Sequence, residues 1–98
     1  MEFCQDIITE LMRIRRNKLP FFSERDEGYV LDSIKLLTLV VTPSGNFLAL
    51  VRQKPNTPEQ WAALTKAWEA GYGCEPELED FQQIVELLWN HQRRVEND

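Results

Sequence analysis

Two apolar runs in the middle of the chain flank the clearest turn signal in the sequence. The first run ends at Val41 and the second begins at Phe47, and between them Pro43 and Gly45 are typical of a three-residue hairpin connection. If residues 33–53 form two strands, both faces of the ribbon are apolar. Because a sheet with one solvent-exposed face alternates apolar and polar residues, this pattern predicts that other elements cover both faces.

The turn also sets a register for this predicted hairpin. Thr42 pairs with Asn46, which places Val41 opposite Phe47. Two strands alone are unstable in water, so the remaining helices or a second copy of the chain must pack on them. The two predicted faces carry Leu37, Leu39, Ala49 and Val51 on one side, and Leu36, Val40, Leu48 and Leu50 on the other.

An amphipathic helix is predicted over residues 2–17. Its apolar side chains recur at helical spacing, and acids near its start and bases near its end complement the helix dipole. The helix ends before Pro20, because proline disfavours the helical conformation of the preceding residue. The densest group of basic residues in the chain lies at its end: Arg13, Arg15, Arg16 and Lys18.

Residues 18–32 give the weakest signals. Ser23 and Asp26 have the spacing of an N-cap, which predicts a short helical turn closed by Gly28. Residues 29–31 are predicted as a short strand or as an extension of the first hairpin strand. The acidic residues here lack the alternating ligands of a calcium loop, so we expect a solvated loop. These residues are Glu24, Asp26 and Glu27.

Two helices are predicted after the hairpin. A capping-box pattern over residues 57–60 starts the first, which runs to about residue 70 and is followed by Gly71 as its C′ residue. The second begins near Pro76 and ends with Arg93 and Arg94. Its apolar sector is wider than one contact needs, which predicts contact with the sheet and with another element or a partner chain.

These elements predict a single small α+β domain over residues 1–98. A β-hairpin, or a three-stranded antiparallel sheet if residues 29–31 join it, is packed with three α-helices in the order α-β-β-α-α. A two-fold homodimer would cover both apolar faces of the hairpin and its exposed edges, so we expect one.

Composition excludes several classes of protein. A hydrophobic content of 43% with 28% charged residues is typical of a folded globular chain and not of a disordered one. No apolar run approaches the roughly 20 residues of a membrane span, and the first residues do not resemble a signal peptide, so a cytoplasmic location is expected. The net charge of -5 disfavours binding to nucleic acid or to anionic membranes.

Candidate catalytic chemistry is sparse. Cys4 and Cys74 are isolated and the chain has one histidine, so neither a metal site nor a cofactor is predicted and the thiols are expected to be free. His91 falls near the end of the last helix, where a capping or surface role is expected because no nucleophile or second ligand accompanies it. The sequence therefore predicts a protein that is not an enzyme.

The tryptophans offer the leading functional hypothesis. Trp61 and Trp68 lie one heptad apart on the same helical face, either as a core stripe or as a recognition surface. The second interpretation predicts a regulatory or adaptor protein that acts through protein–protein contact. The predicted interaction surface comprises Trp61, Leu64, Trp68, Tyr72 and Trp89.

Two alternatives remain open. The basic group at residues 13–18, together with Arg93 and Arg94, predicts nucleic-acid binding if these residues form one contiguous basic face. A pocket between sheet and helices would instead indicate an enzyme or a small-ligand binder, for which the sequence identifies no residue.

Overall fold

The computed structural model describes residues 2–17, 22–43 and 45–97, with side chains for residues 5–17, 22–43 and 45–94. The described residues form five helices and one very short hairpin, so the prediction of an α+β domain with three helices is wrong. The elements in chain order are α1 Glu2–Asn17, α2 Glu24–Thr38, β1 Val41–Thr42, β2 Gly45–Asn46, α3 Phe47–Arg52, α4 Pro58–Tyr72 and α5 Leu78–Asn97.

Helix α1 has the predicted bounds. Its buried side chains Ile7, Leu11 and Ile14 recur every three or four residues, so one face of the helix is apolar. That face lies against α2 and α5.

Helix α2 occupies the segment that was predicted as a loop and as strands. Ser23 and Asp26 form a full capping box: the Ser23 hydroxyl accepts from the Asp26 amide at 3.1 Å, and the Asp26 carboxylate accepts from the Ser23 amide at 3.5 Å. Gly28 does not close a turn but lies inside the helix. Residues 26, 30, 33 and 37 are buried, and this spacing of four, three and four is helical.

Helix α3 replaces the second predicted strand. The Asn46 side chain caps it by accepting from the Ala49 amide at 2.8 Å. Phe47, Leu50 and Val51 are buried while Ala49 is exposed. A strand would have grouped residues 47, 49 and 51, whereas a helix groups 47, 50 and 51.

The hairpin lies at the predicted position but is much shorter. Val41 pairs with Asn46 and Thr42 with Gly45, one residue away from the predicted register. Gly45 has a φ of 115°, a backbone conformation that favours glycine. Leu39 and Val41, which were predicted on a covered face of the ribbon, are 81% and 79% exposed.

Helices α4 and α5 confirm two of the predicted helices with shifted ends. Thr57 and Gln60 form the predicted capping box of α4, but its left-handed C-cap is Gly73 rather than Gly71. Gly71 lies inside the helix, where a Cβ atom would come within 2.9 Å of the Leu37 side chain. Glycine therefore lets α4 approach α2 closely at this point.

The wide apolar sector of α5 is used within the chain. Helix α5 contacts α1, α2 and α3, and most of its described apolar side chains are buried, whereas Leu78 is exposed and Trp89 is half-buried. The doubly apolar ribbon that motivated a homodimer does not exist either, and the homodimer stays a prediction without that support. In the ranges 2–17, 22–43 and 45–97, no helix has the length and apolar character that crossing a bilayer requires.

Candidate functional site

The structure separates the five residues predicted to form an interaction surface. Leu64, Trp68 and Tyr72 are buried, whereas Trp61 and Trp89 are half-buried. Trp68 stands among aromatic rings, with centroids 4.3 Å from Tyr72 and 5.4 Å from Phe81. The core interpretation therefore applies to the second tryptophan of α4. Only the first tryptophan of α4 and the one in α5 reach the surface.

Trp61 and Trp89 line the same groove. The groove lies between the end of α3, the first turn of α4 and the middle of α5, and its volume is about 410 Å³. Pockets of this size accept a small ligand or a few side chains of a partner. Its apolar lining comprises Val51, Pro55, Trp61, Val85 and Trp89, and its polar lining comprises Lys54, Gln82, Glu86 and Asn90.

The start of α4 and the core together position Trp61. Its amide donates to the Thr57 carbonyl at 3.1 Å, and its carbonyl accepts from the Thr65 hydroxyl at 2.9 Å. Its ring meets Phe81 nearly edge to face, with centroids 6.1 Å apart and planes at 72°. The same phenylalanine packs on buried Trp68, so the core supports this wall of the groove.

Two cations stack on Trp89. The Lys54 ammonium lies 4.6 Å from the ring centroid, and the Arg93 guanidinium carbon lies 4.8 Å from it. Both distances are within the range of cation–π attraction. Arg93 follows Trp89 by one helical turn, which places the two side chains on the same side of α5.

Lys54 lies in a turn between α3 and α4, and its side chain lines the groove. The backbone of Lys54 is left-handed, with a φ of 54°, a conformation that is uncommon for a residue with a side chain. Its amide donates to the Val51 carbonyl at 3.0 Å. This turn ends the α3 region and directs the chain through Pro55 toward α4.

Of the charged side chains at the groove, the carboxylate has an ion-pair partner among the described residues and the two cations do not. Glu86 accepts from Arg15 of α1 at 2.9 Å. Lys54 and Arg93 form no ion pair with any carboxylate in the part of the chain that the structure describes. Among the described residues, Lys54 in the groove and Arg93 beside it on Trp89 therefore have no carboxylate partner, whereas Glu86 is paired with Arg15.

Two of the four residues of the predicted basic patch form ion pairs. Arg13 bonds to Glu10 at 2.8 Å and to buried Asp26, and Arg15 bonds to Glu86. Burial raises the pKa of Asp26, but hydrogen bonds from Arg13 and from Ser23 outweigh it and hold that pKa below its ordinary value.

Arg16 is exposed, and Lys18 lies outside the described residues. The structure does not present Arg13 and Arg15 as free phosphate ligands, which the nucleic-acid hypothesis needs.

His91 is buried, so the expected capping or surface role is wrong. It packs beside Phe22, with ring centroids 6.3 Å apart, and its Nδ1 lies 3.5 Å from an Arg94 nitrogen. Burial lowers the pKa of His91, the nearby Arg94 charge lowers it further, and Glu27 opposes them. The ring is therefore neutral near pH 7.

The acidic segment at residues 24–27 is not a loop. It forms the first turn of α2, where acids complement the helix dipole, and Asp26 is used in the cap. Among the described residues, no group of three or more His, Cys, Asp or Glu side chains could hold a metal ion.

Few of the described residues that line the groove are ionisable. Among the described residues that line it, the ionisable side chains are Lys54 and Glu86. Sequence reasoning missed both of them and did not connect Arg93 with Trp89. The spacing of four residues between Trp89 and Arg93 was the one local signal available.

Comparison of the chain with models of known protein families, with characterised proteins and with solved structures found no match.

Proposed function

We propose that this chain is a non-catalytic cytoplasmic protein of the regulatory or adaptor type, which binds a partner protein in the groove between Trp61 and Trp89. The observation that carries the proposal is that two half-buried indoles from different helices line one groove. Tryptophan is enriched at binding hot spots because it contributes a large contact area with few rotatable bonds.

The groove suits side chains from a short segment of the partner. Its apolar lining would bury an apolar side chain, and its exposed amides, Gln82 and Asn90, can bond to a backbone. The Trp61 ring already packs against Phe81, so binding should cost little side-chain conformational entropy at this residue.

Two further observations are consistent with this proposal. The small number of ionisable side chains in the groove favours binding over catalysis. Cys74 is a free, half-buried thiol, which is usual in the reducing cytoplasm.

The proposal can be tested by selecting ligands from a random peptide display library, with the intact chain as bait. Two variants alter the groove: Trp61→Ala removes one wall, and Gln82→Trp fills the space from an exposed position of α5 without removing a core contact. The matched control is Leu39→Ala, which removes an exposed apolar side chain outside the groove. Circular dichroism establishes that each variant is folded.

We expect enriched peptides to bind the wild type and Leu39→Ala equally and to lose binding to both groove variants. Peptides that bind all four proteins alike would place recognition elsewhere. A library that yields no groove-dependent peptide would contradict the proposal.

Self-association is a separate question. Leu39 and Val41, at the hairpin, are two exposed apolar side chains that a second copy could cover. Static light scattering at micromolar concentration measures the mass directly, and a monomer would contradict the predicted homodimer without affecting the groove.

A further inference from the structure

The two cations on Trp89 distinguish this groove from an ordinary apolar cleft. Lys54 and Arg93 both lie over the indole, and neither has a carboxylate partner in the described ranges. Glu86, the one carboxylate among the described residues that line the groove, is paired with Arg15 at 2.9 Å. Lys54, which lines the groove, and Arg93, which lies beside it on Trp89, are thus two cations that no described carboxylate pairs, in a chain whose net charge is -5.

Stacking holds each cation near the groove without satisfying its hydrogen-bond donors. An ammonium has three hydrogen-bond donors and a guanidinium has five. A carboxylate accepts hydrogen bonds from such donors, whereas an aromatic face leaves them unsatisfied. An incoming carboxylate would therefore gain charge-assisted hydrogen bonds without first displacing an internal partner.

We propose that the groove recognises an acidic peptide segment, in which one apolar side chain enters between Trp61 and Trp89 and an adjacent Asp or Glu pairs with Lys54 or Arg93. This inference rests on the proposed function and gives the chemical class of its partner. Charge complementarity selects the partner, while the indoles provide the contact area.

A cationic ligand fits the same groove poorly. Aromatic rings can bind ammonium groups, but Trp89 already carries two positive charges within 5 Å of its ring centroid. A third cation would be repelled by both.

A nucleic-acid strand is also disfavoured. It would present several phosphates to Lys54 and Arg93, the two cations on Trp89 that no described carboxylate pairs, and the negative chain as a whole would repel it. The lining from Val51, Pro55 and Val85 suits an apolar side chain better than a sugar–phosphate backbone.

The test compares affinities of groove-dependent peptides for charge variants. Dissociation constants are measured by isothermal titration calorimetry for the wild type, Lys54→Gln and Arg93→Gln. Lys66→Gln is the matched control, because it removes the same charge from an exposed position of α4 outside the groove. Lys54→Arg and Arg93→Lys keep the charge and serve as rescue variants.

We expect the enriched peptides to carry an excess of Asp and Glu beside an apolar residue. Each groove charge variant should bind them about fivefold more weakly, the size of an exposed charge pair, and the control should change affinity less than about twofold. Raising the salt from about 0.1 M to about 1 M shortens the Debye length from about 10 Å to about 3 Å and should weaken the wild type more than the Lys54→Gln, Arg93→Gln double variant.

The outcomes separate this inference from the function on which it rests. Groove-dependent peptides without excess acid, or with affinities unaffected by Lys54→Gln and Arg93→Gln, overturn the acidic partner and leave peptide binding in place. The absence of any groove-dependent peptide overturns both. Binding of single-stranded oligothymidylate, lost in Trp61→Ala and Lys54→Gln while no peptide binds, would assign the cations to phosphate and also overturn the inference.

Discussion

Arg93 and Arg94 are consecutive in α5 and stack on aromatic rings at the same distance, yet their surroundings differ. The Arg94 guanidinium carbon lies 4.8 Å from the Phe22 ring centroid, and Arg94 also pairs with Glu27 at 3.4 Å. The Arg93 guanidinium carbon lies 4.8 Å from the Trp89 centroid and has no carboxylate partner among the described residues.

This contrast divides the surroundings of α5 into two regions. The closed side comprises Phe22, Glu27, His91 and Arg94. There the stacked cation, Arg94, has a carboxylate partner within the chain, Glu27. The open side comprises Lys54, Trp61, Trp89 and Arg93, where two cations lie on Trp89 and no carboxylate of the described residues pairs with them. The same contact between an arginine and an aromatic ring is completed by a carboxylate of α2 on the closed side, and by no described carboxylate on the open side.

The largest effect is expected from truncating the buried histidine of the closed side. His91→Ala should lower the free energy of unfolding by about 1–3 kcal/mol, because it leaves a cavity beneath α2. Asn90→Ala, at the next position on the open side, should change it by no more than about 0.5 kcal/mol. Urea denaturation measures both, and equal losses would show that the two sides are packed alike.

Acid should weaken the closed side selectively. Burial and then Arg94 lower the pKa of His91 below its ordinary value of 6.5, against the smaller opposing effect of Glu27. The unfolded chain therefore binds a proton more readily, so stability is full above pH 6.5 and is lost as the pH falls below it.

Urea midpoints at pH 7, 6 and 5 measure this loss. The wild type and Asn90→Ala should lose stability over this range, while His91→Gln, which cannot titrate, should lose less. The pKa of Asp26 is lowered, so this carboxylate titrates below pH 5 and does not contribute to the loss of stability between pH 7 and 5. Parallel pH profiles in all three proteins would show that His91 is not responsible.

A third experiment converts the open side into a closed one. Asn90→Glu places a carboxylate three residues before Arg93, a spacing at which helical side chains meet. The new intramolecular pair should weaken acidic peptides about fivefold by occupying Arg93 and repelling their carboxylates. Asn90→Gln, of matched shape, should change affinity less than about twofold, and equal affinities for the two variants would contradict the role given to Arg93.

The smallest effect concerns the ion pair of the closed side. A double-mutant cycle of Glu27→Gln and Arg94→Gln should give a coupling of about 0.2–0.5 kcal/mol, because both side chains are partly exposed. The same cycle with Arg93 in place of Arg94 should give none. A larger coupling for Arg93 would reverse the distinction between the two arginines.

The sequence predicted α1, α4 and α5, whose apolar residues recur at helical spacing, and failed at α2 and α3. In the run at residues 36–41 only Thr38 is polar, so no period distinguishes helix from strand. The deciding signals were the caps: the box at Ser23 and Asp26, and Asn46 ahead of Ala49. They outweigh the turn residues that favoured long strands.

The candidate site was predictable only in part. Trp61 and Trp89 could be named because large aromatic residues on helical faces need either a core or a partner. Lys54 could not, because its position depends on α3 being a helix and on the left-handed turn that follows it. The pair between Arg15 and Glu86 joins residues 71 positions apart, which no local pattern encodes.

Because the three tryptophans are unequally buried, their intrinsic fluorescence can report on the groove and on the core separately. Iodide in solution can reach the indoles of Trp61 and Trp89, which are half-buried, but not Trp68, which is fully buried. A ligand that fills the groove should shield the quenchable fluorescence and leave the blue-shifted emission of Trp68 unchanged. Unfolding should instead expose all three, so one spectrum separates occupancy of the groove from loss of the core.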